Sequence, residues 1–88
     1  MYRFQDIQFD KSNRFSLGKD IEAGDYYLSI PVANSMADYE EYYRITPDQF
    51  ELFKMDLKAA KNFASQCRKQ ELDYLLILPP GTDRGVAS

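Results

Sequence analysis

The chain has 88 residues, a formal net charge of −3, a single cysteine and no histidine. That length makes one domain, removing roughly 60 to 65% of its unfolded surface from water with little stability to spare. The lone Cys67 excludes an internal disulfide and a cysteine-based zinc site, and the missing histidines remove the commonest general base and metal ligand.

Met1 to Asp10 is mixed and polar, without the basic-then-apolar pattern of a leader, and no run of eighteen apolar residues follows. A cytoplasmic protein is the expectation. Within the first segment, Tyr2 and Phe4, then Ile7 and Phe9, alternate with polar residues, with a phase slip at Asp6. One strand with a bulge, or with a frayed end, accounts for it. Asp10 to Arg14 is polar turn material. Phe15 to Leu17 adds a short extended piece before Gly18. Ser16 to Asp20, SLGKD, holds a glycine and a lysine but lacks the spacing of a phosphate-binding loop, and a plain turn is expected there.

Gly24 to Ile45 carries five of the seven tyrosines and reads as a β-hairpin. Tyr26, Leu28, Ile30 and Val32 share one strand face, and Tyr39, Glu41, Tyr43 and Ile45 share the matching face of the next. A two-residue turn at Ser35 and Met36, or a four-residue loop from Asn34 to Ala37, gives one and the same register. Val32 then faces Tyr39, Leu28 faces Tyr43 and Tyr26 faces Ile45, with Ile30 opposite Glu41 as the misfit. On the other face Tyr27 lies across from Arg44 and Ser29 across from Tyr42, with Asp38 and Glu40 nearby. That face is expected to be wet. Pro31 cannot donate to a ladder, which makes its strand an edge at least locally.

Thr46, Pro47 and Gln49 stand as N-cap, first helical residue and capping-box acceptor, so a helix begins at Pro47. Its buried side takes Phe50, Phe53 and Leu57. Asp56 either caps a second helix starting at Leu57 or sits within a longer one. Leu57, Ala60, Phe63, Ala64 and Cys67 fall on one helical face, with Lys54, Lys58, Lys61 and Arg68 largely outside it. Cys67 is then a small core residue rather than a reactive thiol. Leu72 to Leu78, LDYLLIL, suits a buried central strand better than a last helical turn, and would give the hairpin its protected neighbour on the non-proline side. Thr82 to Ser88 reads as a mobile tail.

Charge is unevenly spread. Ile21 to Ile45 holds Glu22, Asp25, Asp38, Glu40 and Glu41 against Arg44 alone, while Lys54 to Lys69 holds Lys54, Lys58, Lys61, Arg68 and Lys69 against Asp56. Separating the aromatics from the bases argues against nucleic-acid binding. Asp38 and Glu40, two apart on one strand, form an acid pair that could hold a hard cation, but the oxygens are too few and no EF-hand loop is present. No catalytic, cofactor or metal site is therefore expected. Glu41 is read as reaching water or a helix lysine, the functional reading being a perturbed carboxyl in a pocket with Tyr39 and Tyr43.

The segments SLGKDIEAGDYYLSIPVANSMADYEEYY and LLILPPGTDRG resemble a family of small bacterial proteins without an assigned activity, similar in turn to the immunity partners of secreted bacterial toxins. The resemblance spans Ser16 to Gly85 and implies a stoichiometric inhibitor that covers a toxin's active site. The expectation is an α+β domain: an antiparallel sheet of three to five strands with one or two helices packed on one face. Its expected role is non-catalytic protein binding through Tyr27, Asp38, Glu40, Tyr42 and Arg44. A homodimer formed through an exposed strand, and a small enzyme or ligand binder using Glu41 with tyrosines, are the alternatives.

Overall fold

The computed structural model describes residues 3–33, 38–80 and 86–87. Strands β1 (Phe4–Asp10), β2 (Phe15–Asp20), β3 (Asp25–Ala33) and β4 (Asp38–Ile45) form an antiparallel meander in that order. Helices α1 (Pro47–Met55) and α2 (Leu57–Arg68) follow, and β5 (Val86–Ala87) pairs with β3. The α+β architecture matches the sequence pattern.

The hairpin register is the one that alternation demands: Tyr26 opposite Ile45, Leu28 opposite Tyr43, Ile30 opposite Glu41 and Val32 opposite Tyr39. Its connecting loop, 34–37, lies outside the described residues. β1 pairs with β2 through a register shift between Asp6 and Gln8, which places the expected bulge at Ile7. The turn after β1 is tied by Asp10, whose carboxylate accepts from the Asn13 backbone and side chain at 2.9 Å each.

Three expectations are corrected. Ser16 to Asp20 is strand, not turn: β2 pairs on both sides, with Gly18 between Asp6 and Tyr27. Glycine serves there for close approach, since a Cβ would collide with the Gln5 carbonyl and the Tyr27 ring. β3 as a whole is central rather than an edge, because β2 and β5 share its second side. The effect of Pro31 is local: it falls between the last β2 pairing, Ser29 with Ser16, and the first β5 pairing, Val32 with Ala87.

Leu72 to Leu78 is the third. Asp73–Leu75 is a 3-10 turn, and the segment touches the sheet through a bridge of Leu76 to Tyr43 and the Ile77 N–H donating to the Tyr42 carbonyl at 2.9 Å. The run does lie on the outer, β4 side of the hairpin, but it meets β4 only through these contacts and packs half-buried against the core. Of the tail, Val86 and Ala87 pair with Ala33 and Val32.

The core lies between the sheet and the helices. Phe15, Leu17, Leu28, Ile30, Val32, Tyr43 and Ile45 meet Phe50, Phe53, Ala60, Phe63, Ala64 and Cys67. Phe50 stacks on Tyr26 at 4.2 Å between centroids, and Phe53 packs on Phe63 at 5.1 Å. Asp56 ends α1 and caps α2 by accepting from the Ala59 N–H, which restarts the helical phase. Leu57 consequently sits at an open helix end, 49% exposed rather than buried. Burial pushes the Cys67 thiol well above its ordinary pKa, so it stays protonated in the core.

The capping box is complete, with the Gln49 N–H donating to Thr46 Oγ1 at 3.0 Å and the Thr46 N–H donating to Gln49 Oε1 at 2.8 Å. Thr46→Ala should cost about 1 kcal/mol. Thermal unfolding should show a midpoint roughly 4 to 8 °C lower; an unchanged midpoint would mean that packing of Phe50 and Phe53 alone sets the helix start.

Among the described residues no helix is long and apolar enough to cross a membrane.

Candidate functional site

The helices cover one face of the sheet. Register and alternation place Phe4, Asp6 and Phe9 of β1, Ser16 and Gly18 of β2, Tyr27, Ser29 and Pro31 of β3, and Asp38, Glu40, Tyr42 and Arg44 of β4 on the other.

Tyr27 is not a surface residue. It is 0% exposed, its ring edge-on to Phe4 at 5.6 Å and to Tyr42 at 4.9 Å, and its hydroxyl donates to Asp6 Oδ1 at 2.6 Å. The face expected to be wet has an aromatic cover of its own because β1, two strands from Tyr27, brings Phe4 over it. Gly18 on β2 leaves the room in which the ring lies. Burial, then the Asp6 contact, raises the Tyr27 phenol far above its ordinary range.

Tyr42 stays half-buried, stacked on Phe4 with centroids 3.8 Å apart and planes 9° from parallel. Glu40 meets water along much of its length, but its carboxyl reaches back over buried Ser29, whose Oγ donates to Oε1 at 3.3 Å. Burial raises that carboxyl's pKa, and nearby Asp6 adds to the shift. Asp38 is exposed at the end of β4. Arg44 is exposed too, and pairs with Asp25 Oδ2 at 3.1 Å on the neighbouring strand.

The structure therefore gathers Asp38, Glu40 and Tyr42, demotes Tyr27 to their support and sets Arg44 at the margin. It adds Asp6 and Phe4, which sequence reasoning left out of the site. The phase slip at Asp6 was the available sign, but nothing local shows that β1 reaches over the hairpin.

Glu41, on the core face, is buried rather than solvated. Its neighbours two positions away supply hydroxyls: Tyr43 Oη lies 2.9 Å from Oε1 and 3.2 Å from the Cys67 carbonyl, and Tyr39 Oη lies 3.4 Å from Oε2. Phenol donors thus stand where water or a helix lysine was expected. No group of three or more Cys, Asp or Glu residues among those described is placed to hold a metal ion.

Beside Pro31 the open face dips into a groove of about 370 Å³. Phe9 and Pro31 line it with apolar surface over the edge of buried Phe15, Ser16 and Glu40 add polar groups, and Lys11 and Arg14 reach in from the turn between β1 and β2.

Together these features define a small α+β domain with one helix-covered sheet face and an opposite face that, among the described residues, no helix covers and that carries Phe4, Tyr42, Asp38 and Glu40. No family model matches the chain, and neither a curated protein nor a solved structure is significantly similar to it.

Proposed function

We propose that the protein is a non-catalytic binding module that docks a basic protein partner on its open sheet face. The observation that carries this reading is Tyr42, stacked on Phe4 and preceded along β4 by Asp38 and Glu40 on the face the helices leave free. A preorganised tyrosine supplies contact area at low entropic cost, and the surrounding acids steer a positively charged surface toward it. Tyr27 acts from below, fixing Tyr42 and Asp6 in place.

The partner best suited to such a face is a basic catalytic domain, and the sequence resemblance points to a secreted bacterial toxin neutralised by this chain as its immunity protein. The same reading keeps the protein in the cytoplasm of a bacterium.

The double charge reversal Asp38→Lys with Glu40→Lys tests it. Both positions are exposed, so the circular dichroism spectrum should be unchanged, while affinity for the natural partner recovered by pull-down should fall about a hundredfold or more. Equal recovery of the partner by the variant and the parent chain would sink the proposal.

A further inference from the structure

The groove beside Pro31 has features that a macromolecular docking face does not need. On β3, Ile30 and Pro31 pair with β4 on one side, while on the other side they fall between the β2 and β5 pairings. Such a gap in a ladder ordinarily leaves a backbone donor to be satisfied. Proline supplies none at its position, so the break leaves no Pro31 N–H to be satisfied.

Phe9, on its rim, is 64% exposed, an aromatic ring turned to solvent where folding alone offers it nothing to pack on. Lys11 on one bank and Glu40 on the other are opposite charges lining a single groove, yet among the described residues neither takes part in an ion pair. Ser29 holds the Glu40 carboxyl over the floor rather than letting it swing into solvent.

The charge pattern restricts what fits. A simple anion would meet Glu40, and a simple cation would meet Lys11 and Arg14. A fully apolar molecule would strip water from Lys11 and Glu40 without replacing it. A ligand carrying both signs, with an apolar body between them, satisfies every wall.

Size restricts it further. The volume lies near the lower end of ligand clefts, about 300–1,000 Å³. From the β1–β2 turn that carries Lys11 and Arg14 to β4 is two to three strand spacings, about 10–14 Å. An extended dipeptide places its ammonium and carboxylate about 6–7 Å apart, and the Lys11 and Glu40 side chains close the remainder.

We propose that this groove is a binding site for a small zwitterion of the dipeptide class, its ammonium on Glu40, its carboxylate on Lys11 and Arg14, and its apolar side chain against Phe9 and Pro31. This site lies beside the docking face and shares Glu40 with it.

The test uses the whole chain and L-alanyl-L-phenylalanine, with calorimetry for affinity and amide chemical shifts for location. Shifts should centre on 9–16, Pro31's neighbours and Glu40. The N-acetyl form, which lacks the ammonium, and the C-terminal amide, which lacks the carboxylate, should each bind about tenfold more weakly. In Glu40→Gln the free and acetylated peptides should bind alike, and in Lys11→Gln the penalty for the amide should shrink. Both substitutions are at exposed positions, so folding is preserved. Absence of shifts at about 10 mM probe, about ten-thousandfold above micromolar affinity, would overturn the proposal, as would shifts elsewhere or equal binding of all three peptides. None of these readouts involves a protein partner, so the docking proposal stands or falls separately.

Discussion

Asp20→Ala should lower the stability of the chain by about 3 kcal/mol, because it removes one side of a buried charged network. The Asp20 side chain is 0% exposed; it accepts from Arg3 Nε and an Arg3 terminal nitrogen at 2.9 Å each. It also ties the turn into β3 by accepting from the Glu22 and Ala23 N–H groups at 3.1 and 3.2 Å. Truncation leaves the Arg3 guanidinium and two turn amides without their acceptor. For a domain of this size the thermal midpoint should fall by roughly 15 °C.

The same residue sets an acid limb. Arg3 holds the Asp20 carboxyl below the usual carboxylate range, against the opposing effect of burial. Between the depressed native value and the ordinary one near 4, the unfolded chain binds more protons than the folded one. Asp20 therefore contributes fully above about pH 4, and its contribution is lost as pH falls through the native value. Glu40, shifted upward, contributes the opposite slope, with stability falling as pH rises from its ordinary to its raised value. Denaturant titrations from pH 6 to about pH 2 should give a steeper acid loss for the parent chain than for Asp20→Asn. Parallel curves would remove Asp20 as the source.

Gly18→Ala is the second large effect. The added methyl would collide with the Gln5 carbonyl on one side and with the Tyr27 ring and hydroxyl on the other. Neither neighbour is a flexible chain end: Gln5 is backbone in β1, and the Tyr27 ring is clamped by Phe4, Tyr42 and Asp6. Overpacking of this kind costs about 3 kcal/mol. The loss should be measurable by urea unfolding, together with weaker amide protection in β1. Combining it with Tyr27→Ala removes the ring clash but leaves the Gln5 clash. A double variant no more stable than the sum of two independent losses would show that the ring is not the obstacle.

These two sites mark the boundary of what could be read from the chain. Thr46, Pro47 and Gln49 act within a single turn, so the start of α1 follows from their order. Asp56 restarts α2 in the same local way. Alternation in 26–32 and 39–45 permits one sensible pairing, and the structure has it. Gly18 misled because a glycine within a strand looks like a turn until the ring that crosses it is known. Leu72 to Leu78 misled because an apolar run of seven has no periodicity to tell an extended strand from a 3-10 turn with a single bridge to the sheet.

The open face was legible only in part, as Asp38, Glu40 and Tyr42 follow from alternation on one strand. Asp6 and Phe4 arrive from β1, and Lys11 with Arg14 from the turn that follows it. Their proximity depends on strand order, which no residue of the hairpin encodes.

By itself, then, the sequence determined the elements whose hydrogen bonds close within a few residues or across one short loop, namely the hairpin register and the start of α1, while the Asp56 cap and the bulge in β1 were each one of two readings it offered. The tertiary structure alone decided that Tyr27 is covered, that β2 flanks β3, and that a groove opens beside Pro31. The reason is physical: alternation tells which side chains share a face, but burial depends on what another part of the chain lays over that face.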